Sequence, residues 1–393
     1  VSDFISSCAQ KGKLTAFFPA DAGKQKEILS LVASSAFQNE DSILLFSATL
    51  SHLLKVLAPD ARTHLITLMA QNSEAENAAF SKLVNVILQY YLQTYPELLG
   101  PADRTLISRL IVRHGAVNLD RYQVTPFAEW KQDGRLGSVS MFHPDDDGRQ
   151  SFVSNANLLT SNGYKMTVSQ QYTIPQMTPA FAAEIQRWMG SGLAPMFQAM
   201  RDRHFAVAFT KQVGNVTIVH TQFVYSDSET QMEMLNRFIR SKDEMLAQRG
   251  HSYWRSEQIV EPLTKLIEEN KVSQADLRGK QRFLSLGSCG GVKAYTNLTR
   301  LFASSVDILA TIGTGLAMIN DPYNKLFFEI IASNTSAMSG KNVAQQSATI
   351  FQGDRGQDYL LPGSLTAILH KILDEEQQAS GAAPKDRFER SRS

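Results

Sequence analysis

Arg282-Phe283-Leu284-Ser285-Leu286-Gly287-Ser288-Cys289-Gly290-Gly291 reads as a buried strand that delivers a cysteine into glycines and then into a helix. A thiol so placed stands at the carboxyl edge of a sheet and just before a helix N-terminus, where the macrodipole favours thiolate. Glycines on its far side let a substrate backbone approach closely. The plainer reading is a small apolar residue at a tight strand-to-helix turn.

Outward from this stretch, β-branched and apolar runs predict strands at about 137–143, 164–172, 204–210, 216–225, 244–250, 282–288 and 307–313. Helical spacing falls between several of them, at 149–161, 179–201, 229–241, 255–270, 294–305 and 322–333. Such alternation implies an α/β fold in three α/β/α layers, a mostly parallel sheet covered on both faces. In such a sheet function collects at the carboxyl ends of the strands.

Residues 1–134 differ in character. Ile28-Leu29-Leu31-Val32, Leu50-Leu53-Leu54-Leu57 and Leu83-Val84-Val86-Ile87-Tyr90-Tyr91 have the three and four spacing of helices, punctuated by Pro96, Gly100 and Pro101. Asp133-Gly134-Arg135-Leu136-Gly137 makes the break. The expected organisation is an all-helical N-terminal domain over 1–134, an α/β domain over 135–376 and a disordered tail over 377–393.

Composition narrows the function classes. Hydrophobic residues at 43% and charged residues at 20% are globular values, which excludes a disordered, collagen-like or coiled-coil chain. Lys and Arg number 39 against 38 acidic residues, so there is no excess of positive charge to hold nucleic acid. The most apolar stretch, Ser42 to Ala58, is broken by Ser, His and Lys, so no membrane span is expected. Two cysteines, Cys8 and Cys289, do not make a disulfide framework, and the compartment stays open with the cytoplasm as default. Ile5-Ser6-Ser7-Cys8 fits a bacterial lipoprotein cleavage box, but Asp3 stands where its apolar segment belongs, and Cys8 reads as an ordinary thiol.

A thiolate nucleophile needs an imidazole to manage protons. Of the 8 histidines, His251 is best placed: a short strand from Met245 stops at Arg249-Gly250-His251-Ser252-Tyr253, and one helix and one strand then fit before Cys289. His251 and Cys289 would leave neighbouring parallel strands at the same edge.

A hydrophobic strand ending in His, then a helix, then a hydrophobic strand ending in Ser-Cys-Gly resembles the caspase, legumain, gingipain and separase group of cysteine peptidases. Arg249-Gly250-His251-Ser252-Tyr253 with Leu286-Gly287-Ser288-Cys289-Gly290-Gly291 also resembles bacterial proteins associated with that caspase-like fold. The resemblance covers about 137–335 and leaves the helical first third without a counterpart.

It implies hydrolysis of a peptide bond in a peptide or protein substrate. Cys289 would attack the carbonyl, His251 would act as general acid to the leaving amine, and backbone N–H groups near both would form the oxyanion hole. A free thiol suffices for this, and no metal or organic cofactor is implied. The group has Gly directly after its catalytic His, whereas this chain has Gly250 before and Ser252 after. That departure keeps open an inactive caspase-like scaffold working through its helical domain with a protein partner.

The resemblance also implies a substrate pocket bordered by Gly290, Ser252 and the end of the strand Asp307-Ile308-Leu309-Ala310-Thr311-Ile312, where Gly313, Thr314 and Gly315 are candidate walls. His143-Pro144-Asp145-Asp146-Asp147-Gly148 ends the first strand of the same sheet. Asp145 and Asp146 could receive a basic substrate side chain, or calcium, though an EF-hand alignment on Gly148 puts His143 and Ser154 at ligand positions. Capping of the next helix is the plainer reading, and Tyr225-Ser226-Asp227-Ser228-Glu229 reads the same way.

Two rival signatures remain. Leu110-Ile111-Val112-Arg113-His114-Gly115 followed by Asn118 resembles the phosphohistidine signature of phosphoglycerate-mutase-like phosphatases, which requires His114 at a strand end. Gly287-Ser288-Cys289-Gly290-Gly291 fits the nucleophile elbow of α/β-hydrolases, and His370 is then the one histidine that comes after the cysteine.

Overall fold

Caps and prolines set the first helices. Asp21 and Asn39 accept from the backbone N–H groups of Lys24 and Ser42, and Pro59 and Pro101 open helices where a missing N–H costs nothing. The computed structural model describes residues 2–74, 78–125, 127–249, 259–286, 289–334, 338–352 and 356–380. Its first helices are α1 (Ser2–Gln10), α2 (Leu14–Phe17), α3 (Ala22–Ala36), α4 (Glu40–Val56), α5 (Pro59–Ser73), α6 (Ala78–Thr94) and α7 (Pro101–His114). The apolar stretch from Ser42 is α4, with Ile43, Phe46, Leu50, Leu53 and Leu54 buried.

The α/β part contains α8 (Phe127–Trp130), β1 (Arg135–Phe142), α9 (Asp146–Ser161), β2 (Lys165–Ser169), α10 (Pro179–Met189), α11 (Leu193–Arg203), β3 (Ala206–Val213) and β4 (Val216–Val224). It continues through α12 (Ser228–Arg240), β5 (Met245–Arg249), α13 (Val260–Glu268), α14 (Gln274–Arg278), β6 (Arg282–Leu286), α15 (Val292–Phe302) and β7 (Val306–Thr311). The last elements are α16 (Ala317–Ser333), α17 (Gly340–Ser347), β8 (Tyr359–Leu360) and α18 (Leu365–Ala379).

Among the described residues the strands make one 8-stranded sheet in the order β2-β3-β4-β1-β5-β6-β7-β8. From β4 to β7 all neighbours are parallel, while β3 and β8 run antiparallel to β4 and β7, and β2 antiparallel to β3. The sheet is therefore mostly parallel. Alternation along each strand feeds two cores: Phe283 and Leu309 face α9, α11 and α16, while Leu284 and Ile308 face α12, α13 and α15.

A polar network pins the amino ends of three central strands. Asp243, fully buried, pairs with Arg135 and accepts from Tyr172 Oη at 2.5 Å, while the Gly137 N–H donates to Glu244 Oε2 at 2.7 Å. A Cβ at Gly137 would collide with the Asp243 carboxylate, so glycine fits there. The Phe283 N–H donates to Glu244 O at 2.8 Å, so the starts of β1, β5 and β6 are fixed in register and with them where their opposite ends finish.

Sequence and structure differ in places. The single helix expected over 179–201 is two, because the chain breaks at Gly190 and turns at Gly192 with φ +99°. Of the tail expected over 377–393, residues 377–379 belong to α18, and 381–393 lie outside the described residues. The two-residue β8 and the short α14 and α17 carry no periodicity long enough to read. Leu365, Ile368, Leu369 and Ile372 of α18, with Ile312, are buried in the same apolar cluster as Leu50, Leu54, Leu83 and Ile87. The last described helix thus completes the core of the first ones.

Candidate functional site at the carboxyl edge of the sheet

The parallel strands β1, β5, β6 and β7 end at Phe142, Arg249, Leu286 and Thr311 on one edge. The described residues at and just beyond these four ends make up the candidate site. Gly250, His251 and Ser252, with Gly287 and Ser288, lie outside the described residues. The strands that lead to His251 and to Cys289 are adjacent and parallel, Gln248 pairing with Leu286.

Cys289 is a partly exposed free thiol just before α15. Gly290, at φ +66°, occupies the left-handed region that glycine enters without strain, and its N–H donates to Gly313 O at 2.8 Å. Gly291 caps α15, and a Cβ there would lie 3.2 Å from Leu286 Cβ. The structure therefore brings Gly290 and Gly313 together, and with Gly290 committed to Gly313 an oxyanion would draw its donors from other amides. Thr314, partly buried, continues the same turn.

The 313 turn is held from behind. Ile312 N–H donates to Asp358 O at 2.9 Å, and a Cβ on Gly313 would collide with the Asp358 carboxylate. Asp358 Oδ1 meets His52 Nε2 of α4 at 3.0 Å. Tyr359 Oη accepts from Leu316 N–H at 2.8 Å. Burial is the main cause that pushes the Tyr359 phenol up to about 12; among lesser causes, the nearby Arg249 guanidinium opposes the shift and the Cys289 sulfur adds to it.

Arg249 closes β5 at 1% exposure and pairs with Asp321 of α16, at 3% exposure. Asn155 Nδ2 donates to Asp321 Oδ1 at 2.9 Å, and Gln222 Nε2 to Asn155 Oδ1 at 3.2 Å, so β4, α9, α16 and β5 meet in one polar line. Burial pushes the Asp321 carboxyl up to about 6 against the lowering effect of Arg249. His143 N–H donates to Arg249 O at 2.9 Å and ties the ends of β1 and β5. Sequence reasoning passed over Arg249, Asp321, His52 and Asp358. The available signal was a charged residue ending a strand whose every position is buried, and a polar trio, Asn320, Asp321 and Asn324, on the inward face of α16.

Asp145 and Asp146 take part in capping and ion pairing at the start of α9. Asp145 Oδ1 caps α9 by accepting from Gly148 N–H at 2.7 Å, and Oδ2 lies 2.9 Å from His143 Nδ1. Asp146 is exposed and pairs with Arg149 at 3.1 Å. Both border a groove of about 520 Å³ with Phe197 and Arg201, at the end of β1 rather than at Cys289. Asp227 likewise caps α12, its carboxyl held low first by the Thr230 backbone N–H. Among the described residues no three His, Cys, Asp or Glu side chains gather as a metal-binding group.

The rival signatures lie elsewhere. His114 is the exposed last residue of α7 and Arg113 pairs with Glu74, so no strand end carries the phosphohistidine pattern. His370 is buried in α18 against Tyr295, with ring centroids 5.0 Å apart, and burial lowers its imidazole to about 4. No family model, curated protein or solved structure matches the chain.

Proposed function

We propose that this chain is a caspase-like cysteine peptidase that hydrolyses peptide bonds through Cys289 and His251. The observation that supports the reading is the pairing of β5 with β6: two adjacent parallel strands end at one edge at Arg249 and Leu286, two positions before His251 and three before Cys289 in the sequence, and the Cys289 thiol is partly exposed. Cys289 attacks the carbonyl carbon, the tetrahedral oxyanion collapses to a thioester as the amine leaves with a proton from His251, and water releases the acid. The Gly313 and Thr314 turn would flank the residue before the cleaved bond.

The test is iodoacetamide labelling across pH of wild type, Cys289→Ala and His251→Ala, and then a peptide library. Labelling of Cys289 faster than a free-cysteine peptide at pH 6, slowed by loss of His251, with cleavage abolished by Cys289→Ala, is expected. Labelling no faster than that peptide and indifferent to His251 would sink the reading. It would favour the second one, a non-catalytic scaffold of the same fold, which draws on the prior commitment of the Gly290 N–H to Gly313.

A further inference from the structure

We propose that His52 is a positioning residue: through Asp358 and the Gly313 turn, the N-terminal helices hold the Cys289 loop in a restrained resting arrangement. Four contacts carry it. His52 Nε2 of α4 meets Asp358 Oδ1 at 3.0 Å. The Asp358 carboxylate fills the space a Cβ on Gly313 would need. Asp358 O holds the Ile312 N–H at 2.9 Å, and Gly313 O holds the Gly290 N–H at 2.8 Å, beside the thiol. The side chain of Ile312, between Thr311 and Gly313, is 2% exposed within the core of the N-terminal helices, so their packing and the turn share a residue.

Charge and burial explain why this line transmits rather than decorates. His52 and Asp358 have side chains only 12% and 7% exposed, so their contact is shielded from water and salt. Arg300 of α15, the helix after Cys289, pairs with Asp41 of α4. One helix therefore touches both the turn behind the cysteine loop and the helix in front of it. While Gly313 O accepts from the Gly290 N–H, that amide next to Cys289 is engaged. Releasing the turn frees an amide donor next to Cys289 and loosens the loop, and both raise the reactivity of its sulfur. A partner that displaces α4 would have the same effect, a shift between two arrangements biased by differential contact.

This coupling stands apart from the peptidase reading, because alkylation of Cys289 requires neither His251 nor a peptide. The experiment measures iodoacetamide rate constants of both cysteines by peptide mass spectrometry, on the full chain, in wild type, His52→Ala, His52→Gln and Gly313→Ala. Cys8 reports the packing of α1 on α4. His52→Ala is expected to speed Cys289 about fivefold with Cys8 unchanged, while His52→Gln, whose amide can still donate to Asp358, stays near wild type. Gly313→Ala evicts the carboxylate from the other side and is expected to match His52→Ala. Where Cys8 accelerates too in His52→Ala, Gly313→Ala decides alone. A wild-type Cys289 rate in Gly313→Ala, or equal acceleration in His52→Ala and His52→Gln, would overturn the proposal.

Discussion

A guanidinium and a carboxylate buried together lose their hydration, and such a pair rarely exceeds an apolar pair in net stability. Removing one partner of Arg249 and Asp321 is a different matter: Arg249→Met leaves a buried carboxylate alone and is expected to cost about 3–5 kcal/mol in urea unfolding. The raised Asp321 carboxyl sets a pH dependence. Its folded value of about 6 lies above an unfolded value of about 3.9, so the folded chain keeps a proton the unfolded chain has lost. That contribution is full below about pH 4 and fades as pH rises to about 6. Asp321→Asn is expected to flatten that segment of a stability-against-pH curve relative to wild type. His220, lowered by burial to about 3, acts in the opposite sense. With His370 it predicts stability lost as pH falls below about 6.5, measurable as a falling urea midpoint. None of this was legible residue by residue, since nothing along the chain pairs Arg249 with Asp321 or His52 with Asp358.

Helices and strands were far more readable, because each announces itself by its own period and its own ends. The strand that ends before Cys289 and the helix after it stand where apolar run and glycines put them, as β6 and α15. The acidic turn after β1 was legible as a cap: Asp145→Ala is expected to cost about 1 kcal/mol, with Asp145→Ser restoring most of it, read as a thermal midpoint. Gly290→Ala forces a side chain into the left-handed region and is expected to destabilise by about 1–2 kcal/mol. The period could not reveal the break between α10 and α11, where two glycines interrupt an otherwise continuous pattern, or β8, too short to have a pattern. The course of β5 places the candidate histidine only as far as Arg249.

On the scale of the molecule, alternation of strand and helix announced the mostly parallel sheet, but not that α18 would return to the first helices. That contact depends on surfaces built by residues at opposite ends of the chain. Truncation after Ser364 removes Leu365, Ile368, Leu369 and Ile372 from the shared core, at about 1.5–3 kcal/mol for each buried side chain. The truncated chain is expected to lose cooperative unfolding of α1 to α7, seen as a broadened helical melt and rapid proteolysis there.

The sequence separation of 306 from His52 to Asp358 also sets an order of synthesis. At about 5–20 residues per second, a ribosome makes Asp358 on the order of 15–60 s after His52. Until then the core that α3 to α6 share with α18 lacks Leu365, Ile368, Leu369 and Ile372. On ribosome-bound chains stalled before Asp358, α3 to α6 are therefore expected to be cut readily by protease, and to become resistant once α18 has joined their core.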